Sequence, residues 1–111
     1  MNQKNTSLIT MVRAAVELDY PIKRGDKEIK TIELRKPRAG EMRGLSLTDV
    51  LQMEFNALNR LLPRITNPAL TEAEIMNLDP ADLLQIGSEV TSFLLSKKMR
   101  GEMNEDVYQS S

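Results

Sequence analysis

A strict two-residue period near the N-terminus constrains this chain more than any other feature. Val16, Leu18, Tyr20 and Ile22 alternate with Glu17, Asp19 and Pro21. Successive side chains of a strand point to opposite faces, so this spacing specifies a strand with one buried face. Lys23-Arg24-Gly25-Asp26-Lys27 follows, with a glycine able to take a positive φ in a turn. A second run covers residues 29–35, with Ile32 and Leu34 on one side and Thr31, Glu33 and Arg35 on the other. Pro37 closes it, because proline has no N–H to donate to a ladder. The two runs predict a β-hairpin over about residues 14–36.

An isolated hairpin is marginal in water and needs a cover for its apolar face. The remainder of the chain offers helices. Residues 39–45 can form a short helical turn, weakened by Gly40 and Gly44. Ser46 starts a helix predicted over residues 46–62, with Leu47, Val50, Leu51, Leu58, Leu61, Leu62 and Ile65 at helical spacing and Pro63 as its stop or kink. Asn67-Pro68 marks a loop. Thr71 and Glu74 fit a capping box ahead of a short helix over residues 71–77. Asp79-Pro80-Ala81-Asp82 opens the last helix, over residues 80–96, which carries Leu83, Ile86, Val90, Phe93 and Leu94 on one face. Gly87 lies on that stripe and permits a close approach.

The expected fold class is therefore α+β: an N-terminal β-hairpin followed by about three helices, with a mostly helical C-terminal half. A chain of 111 residues suits one domain, placed over residues 12–96 between a flexible N-terminus (1–11) and a flexible tail (97–111). Aromatic residues are only 4% of the chain, so its core must be aliphatic.

The chain has no cysteine and no histidine. Disulfides, thiolate metal sites and cysteine nucleophiles are thereby excluded, and the commonest general base and transition-metal ligand are missing. The carboxylate pairs Glu17/Asp19 and Asp79/Asp82 read more simply as a solvent-facing strand and a helix cap than as acid–base or metal chemistry. No phosphate-cradling glycine loop or nucleophile elbow occurs. We expect no catalytic, cofactor or metal site, and no enzyme. No apolar run approaches the ~20 residues of a membrane span, and the first residues do not resemble a secretory signal, so the expected location is the host cytoplasm.

Charge is uneven. Residues 1–45 carry 10 Lys/Arg and 6 Asp/Glu, and residues 46–111 carry 5 and 10. Arg35, Lys36 and Arg38 around Pro37, with Arg43, could meet nucleic-acid phosphates. The cluster lacks interleaved aromatics for base stacking, which favours an ordinary solvated strand end. A small nucleic-acid-associated or regulatory protein using this basic half is nevertheless the competing reading. Among the 7 methionines, Met53 and Met76 fall in predicted helices, where they either fill the core or line a groove for a partner helix.

The order of motifs resembles a known family. Ile32-Glu33-Leu34-Arg35-Lys36-Pro37 and Ala39-Gly40-Glu41-Met42 precede a leucine-rich helix. Leu61-Leu62-Pro63-Arg64-Ile65-Thr66, Leu70-Thr71 and Leu78-Asp79-Pro80-Ala81-Asp82-Leu83 follow. Over about residues 12–95 this is similar to the phage tail assembly chaperones, which include the E proteins of contractile-tailed phages and their Mu-like counterpart. The resemblance implies a phage or prophage protein that binds the helical tape measure protein and keeps it soluble until tail-tube subunits replace it. It also implies a tail tube partner and a frameshifted longer form of the same chain. Ser92-Phe93-Leu94 or Ser96-Lys97-Lys98 can be encoded by a slippery run. The apolar helix residues Leu51, Phe55, Leu58, Leu62, Val90 and Phe93 are the candidate partner-binding set. The hairpin's open edges leave room for a homo-oligomer.

Overall fold

A computed structural model describes residues 13–95. The expected α+β arrangement is present. Strand β1 (Arg13–Arg24) and strand β2 (Lys27–Arg35) form the antiparallel hairpin, turning through Gly25 at φ 62°. A 3₁₀ turn (Ala39–Met42) leads to α1 (Leu47–Leu51), α2 (Phe55–Ile65), a two-residue strand β3 (Thr66–Asn67), α3 (Glu72–Met76) and α4 (Pro80–Leu94). The sheet order is β1-β2-β3, all antiparallel.

The hairpin ladder is regular from Arg13↔Arg35 to Glu17↔Thr31, and again from Ile22↔Ile29 to the turn. Between them β1 advances five residues while β2 advances two. This bulge changes the parity of the buried positions. Val16, Leu18, Ile29, Ile32 and Leu34 all reach the core, although Ile29 and Ile32 are an odd number of residues apart. One sheet face packs on the helices and the other, with Ala15, Glu17, Thr31 and Glu33, faces solvent.

The single helix expected over residues 46–62 is two. α1 is capped by the Ser46 hydroxyl, which accepts the Asp49 N–H at 3.2 Å. It ends at Gln52, and Met53 takes a φ of 58°, a left-handed conformation rare outside glycine. α2 then restarts at Phe55 in a new direction. It also runs past Pro63 to Ile65. Proline in the last turn loses only one helical bond, and the buried Leu61, Leu62 and Ile65 hold that turn on the core.

The expected loop at Asn67-Pro68 contains strand β3 and a cis peptide bond. Thr66 organises it: its hydroxyl donates to the Leu62 carbonyl at 2.8 Å and accepts the Leu70 N–H at 3.0 Å. α3 has the expected capping box, with Thr71 and Glu74 each accepting the other's backbone N–H. In α4 the two aspartates divide. Asp79 caps the helix through the Ala81 N–H at 2.9 Å. Asp82 does not cap. Its fully buried carboxylate crosses to β1 and accepts the N–H groups of Asp19 at 2.8 Å and Tyr20 at 3.0 Å. Those two amides lie within the bulge, where β2 provides no ladder partner. The expected flexible ends, residues 1–11 and 97–111, lie outside the described residues.

Candidate partner-binding surface

The six candidate side chains separate into two groups. Leu58 and Leu62 of α2 and Val90 and Phe93 of α4 are buried at 2% exposure or less, in one cluster with Ile32, Leu34, Val50 and Ile86. In the folded chain they hold the core together and present no surface. Leu51 and Phe55 are exposed, at 41% and 39%. Two further leucines join the exposed group: Leu47, one turn before Leu51, and Leu84 on α4, 60% exposed. Leu84 falls outside the Leu83/Ile86/Val90/Phe93 stripe. A leucine standing off an otherwise complete apolar face was the sequence signal for it.

Met53 links these residues. α1 lies against α4, and Met53, at the corner between α1 and α2, packs on Gly87. A Cβ at position 87 would sit 3.1 Å from the Met53 sulfur and 3.3 Å from Leu58 Cδ1. The close approach expected at Gly87 is made by the Met53 and Leu58 side chains. Leu84 is one turn from Gly87 on the same side of α4. Leu47, Leu51, Phe55 and Leu84 are the exposed leucines and phenylalanine of the three helices that adjoin the Met53–Gly87 contact, together termed the saddle. Two buried oxygens without a hydrogen-bond partner, Asn59 Oδ1 and Thr91 Oγ1, belong to residues one turn from Phe55 and from Gly87.

Elsewhere the polar groups are taken up by structure. At the hairpin tip Arg24 grips Glu74 through Nε and Nη2, at 2.8 and 2.7 Å, and also donates to the Ala69 carbonyl. At the other end Arg35 makes a forked pair with Glu41 and donates to the Arg64 carbonyl. Arg64 in turn donates to the carbonyls of Glu41 and Arg43. The Arg24 hydrogen bond holds Glu74 down at about 2, and the Arg35 hydrogen bond does the same for Glu41. Arg24 at the hairpin tip and Arg35 of the basic run are thus structural clamps. Met76 is exposed, beyond a cleft of about 410 Å³ lined by Tyr20, Ile22, Glu74, Asn77 and Asp79 among others. Among the described residues no group of His, Cys, Asp or Glu is placed to hold a metal ion, and no helix is long and apolar enough to cross a membrane.

Residues 15–95 match the model of the family described as phage tail assembly chaperone proteins, E, or 41 or 14. The chain is 44% identical over 79 residues to tail assembly protein E of Escherichia phage P2, covering 71% of this chain and 87% of that protein. It is 43% identical over 82 residues to tail assembly protein E' of the same phage, covering 74% of this chain and 58% of that longer relative. No solved structure matches. The matched span runs from the first strand through the end of α4 and takes in the hairpin, both arginine clamps and the apolar saddle. The chain belongs to the family of phage tail assembly chaperone proteins.

Proposed function

We propose that this chain is a non-enzymatic chaperone of tail assembly that binds the helical tape measure protein through apolar helix surface and keeps it soluble in the host cytoplasm. The observation that carries this reading is the exposure of Leu47, Leu51, Phe55 and Leu84 on the helices around Met53 and Gly87, with Tyr20 and Met76 exposed elsewhere. A long helical partner with uncovered apolar faces needs such a surface, and a helix laid in an apolar depression is a common mode of recognition. The relatives' names support a role in tail assembly. The proposal extends to the tail tube protein, which displaces the chaperone, and to a frameshifted longer form of the same chain. The shared segment fills 87% of protein E and 58% of protein E', the proportions expected of a common part carried with and without an extension.

Of the basic run behind the competing nucleic-acid reading, Arg35 is committed to Glu41, while Lys36, Arg38 and Arg43 are exposed. Co-expression with the tape measure protein, followed by affinity capture of this chain, tests the proposal. Soluble, co-purifying tape measure protein is the expected result. An insoluble tape measure protein and an empty capture would sink it.

A further inference from the structure

β1 is an edge strand: the sheet order is β1-β2-β3, and among the described residues no strand pairs with its outer side. The two halves of that edge differ. From Asp19 to Pro21 it is closed to pairing by the bulge, by the Asp82 carboxylate on the Asp19 and Tyr20 N–H groups, and by a proline with no N–H. From Arg13 to Glu17 the ladder to β2 is regular, and alternate residues turn their N–H and C=O groups outward. This half is guarded by the charges of Arg13 and Glu17, a guard that a strand with the reverse order of charge would satisfy. Neither charge finds a match within the chain. Arg13 stands opposite Arg35, itself forked onto Glu41, and Glu17 stands opposite Thr31. Glu33, opposite Ala15 and diagonal to both, accepts from the Asn67 amide at 3.5 Å. Neither Arg13 nor Glu17 forms an ion pair with another described residue.

This half-edge is complementary to itself when reversed. Arg13, Ala15 and Glu17 share the exposed face of the strand, and Ala14 and Val16 share the core face. A second copy laid antiparallel, with Ala15 opposite Ala15, sets Arg13 against Glu17 and Glu17 against Arg13 on the exposed face, and Ala14 against Val16 on the core face. We infer that β1 pairs with β1 of a second copy over residues 13–17, about a two-fold axis at Ala15, joining two three-stranded sheets into one continuous sheet. Each charge unmatched within a chain is matched between chains, and the small alanine at the axis lets the strands meet. A strand of unrelated sequence lacks this order of charge, so the residues that recruit a second copy also guard the edge against other strands. The pairing is independent of any tape measure contact. It is short, so the dimer is a weak one that depends on concentration and salt.

Sedimentation velocity of the full chain at rising concentration tests this. A monomer–dimer equilibrium that added salt weakens is the expected result. Arg13→Glu or Glu17→Arg sets like charges opposite each other at both ends of the pairing, so each single change should raise the dimer dissociation constant at least about tenfold. The double variant Arg13→Glu/Glu17→Arg restores opposite charges in reversed order and should recover the dimer. Circular dichroism checks that every variant is folded, and recovery in the double variant separates a lost charge match from general damage to the strand. A dimer indifferent to the single reversals, or a double variant no better than the singles, would overturn the inference. So would a chain that stays monomeric at every concentration, which would leave the edge to a strand of another protein.

Discussion

The carboxylate of Asp82, in the first turn of α4, accepts the backbone N–H of Asp19 across 63 residues of chain. The neighbouring N–H of Tyr20 bonds to the other carboxylate oxygen. One buried side chain thus completes the strand where the bulge leaves it without ladder partners and also pins the longest helix to the sheet.

Replacing Asp82 with alanine strands two backbone donors inside the fold. Asp82→Ala should cost about 3 kcal/mol, near the upper end for an unsatisfied buried donor. Asp82→Asn keeps the shape but turns one acceptor into a donor, and should cost about 1–3 kcal/mol. Urea denaturation measures both. Amide exchange at Asp19 and Tyr20 should accelerate with them, and unchanged protection there would show that another group satisfies these amides.

The core and the saddle should respond differently to truncation. Leu58→Ala and Leu62→Ala remove fully packed side chains and should each cost about 2–5 kcal/mol. Leu51→Ala and Leu84→Ala act at exposed positions and should stay within about 1 kcal/mol. Equal destabilisation in both groups would mean that the saddle is part of the core.

Position 87 has no room for a larger residue while Met53 is there. Gly87→Leu should destabilise by about 2 kcal/mol through overpacking. In a Met53→Gly background the same change should cost less, because the obstructing side chain is gone. Strict additivity of the two changes in a double-mutant cycle would argue against the contact.

The two arginine clamps predict a loss of stability in acid. Glu74 and Glu41 are held at about 2, below their ordinary value of 4.5, first by hydrogen bonds from Arg24 and Arg35. A carboxylate depressed in the folded state stabilises above its unfolded pKa and loses that contribution as pH falls through the folded one. The urea midpoint should therefore be level above pH 4.5 and decline between 4.5 and 2. Both clamps are partly open to solvent, so the decline should be modest. The double variant Glu41→Gln/Glu74→Gln should flatten it, and an equally steep decline in that variant would assign the acid response to other groups.

Local chemistry determined much of this protein before any coordinates. The period of two from Val16 to Ile22 specified a strand, because pleated backbone alternates its side chains. Ser46, Thr71 and Asp79 marked three helix starts, because exposed N–H groups at a helix end require an acceptor nearby in sequence. Order and spacing of such motifs sufficed for the family. Only tertiary structure decided the rest. Residues 52–54 contain neither glycine nor proline, so nothing local announced that the helix breaks at Met53; packing on Gly87, 34 residues away, holds that left-handed corner. Asp82 read as a helix-start acid until the fold brought the bulge of β1 within its reach. Leu51 and Leu58 lie on one helical stripe in sequence, yet one is exposed and the other buried. Periodicity reports which side chains share a face; whether that face meets the core or a partner depends on where the rest of the chain packs.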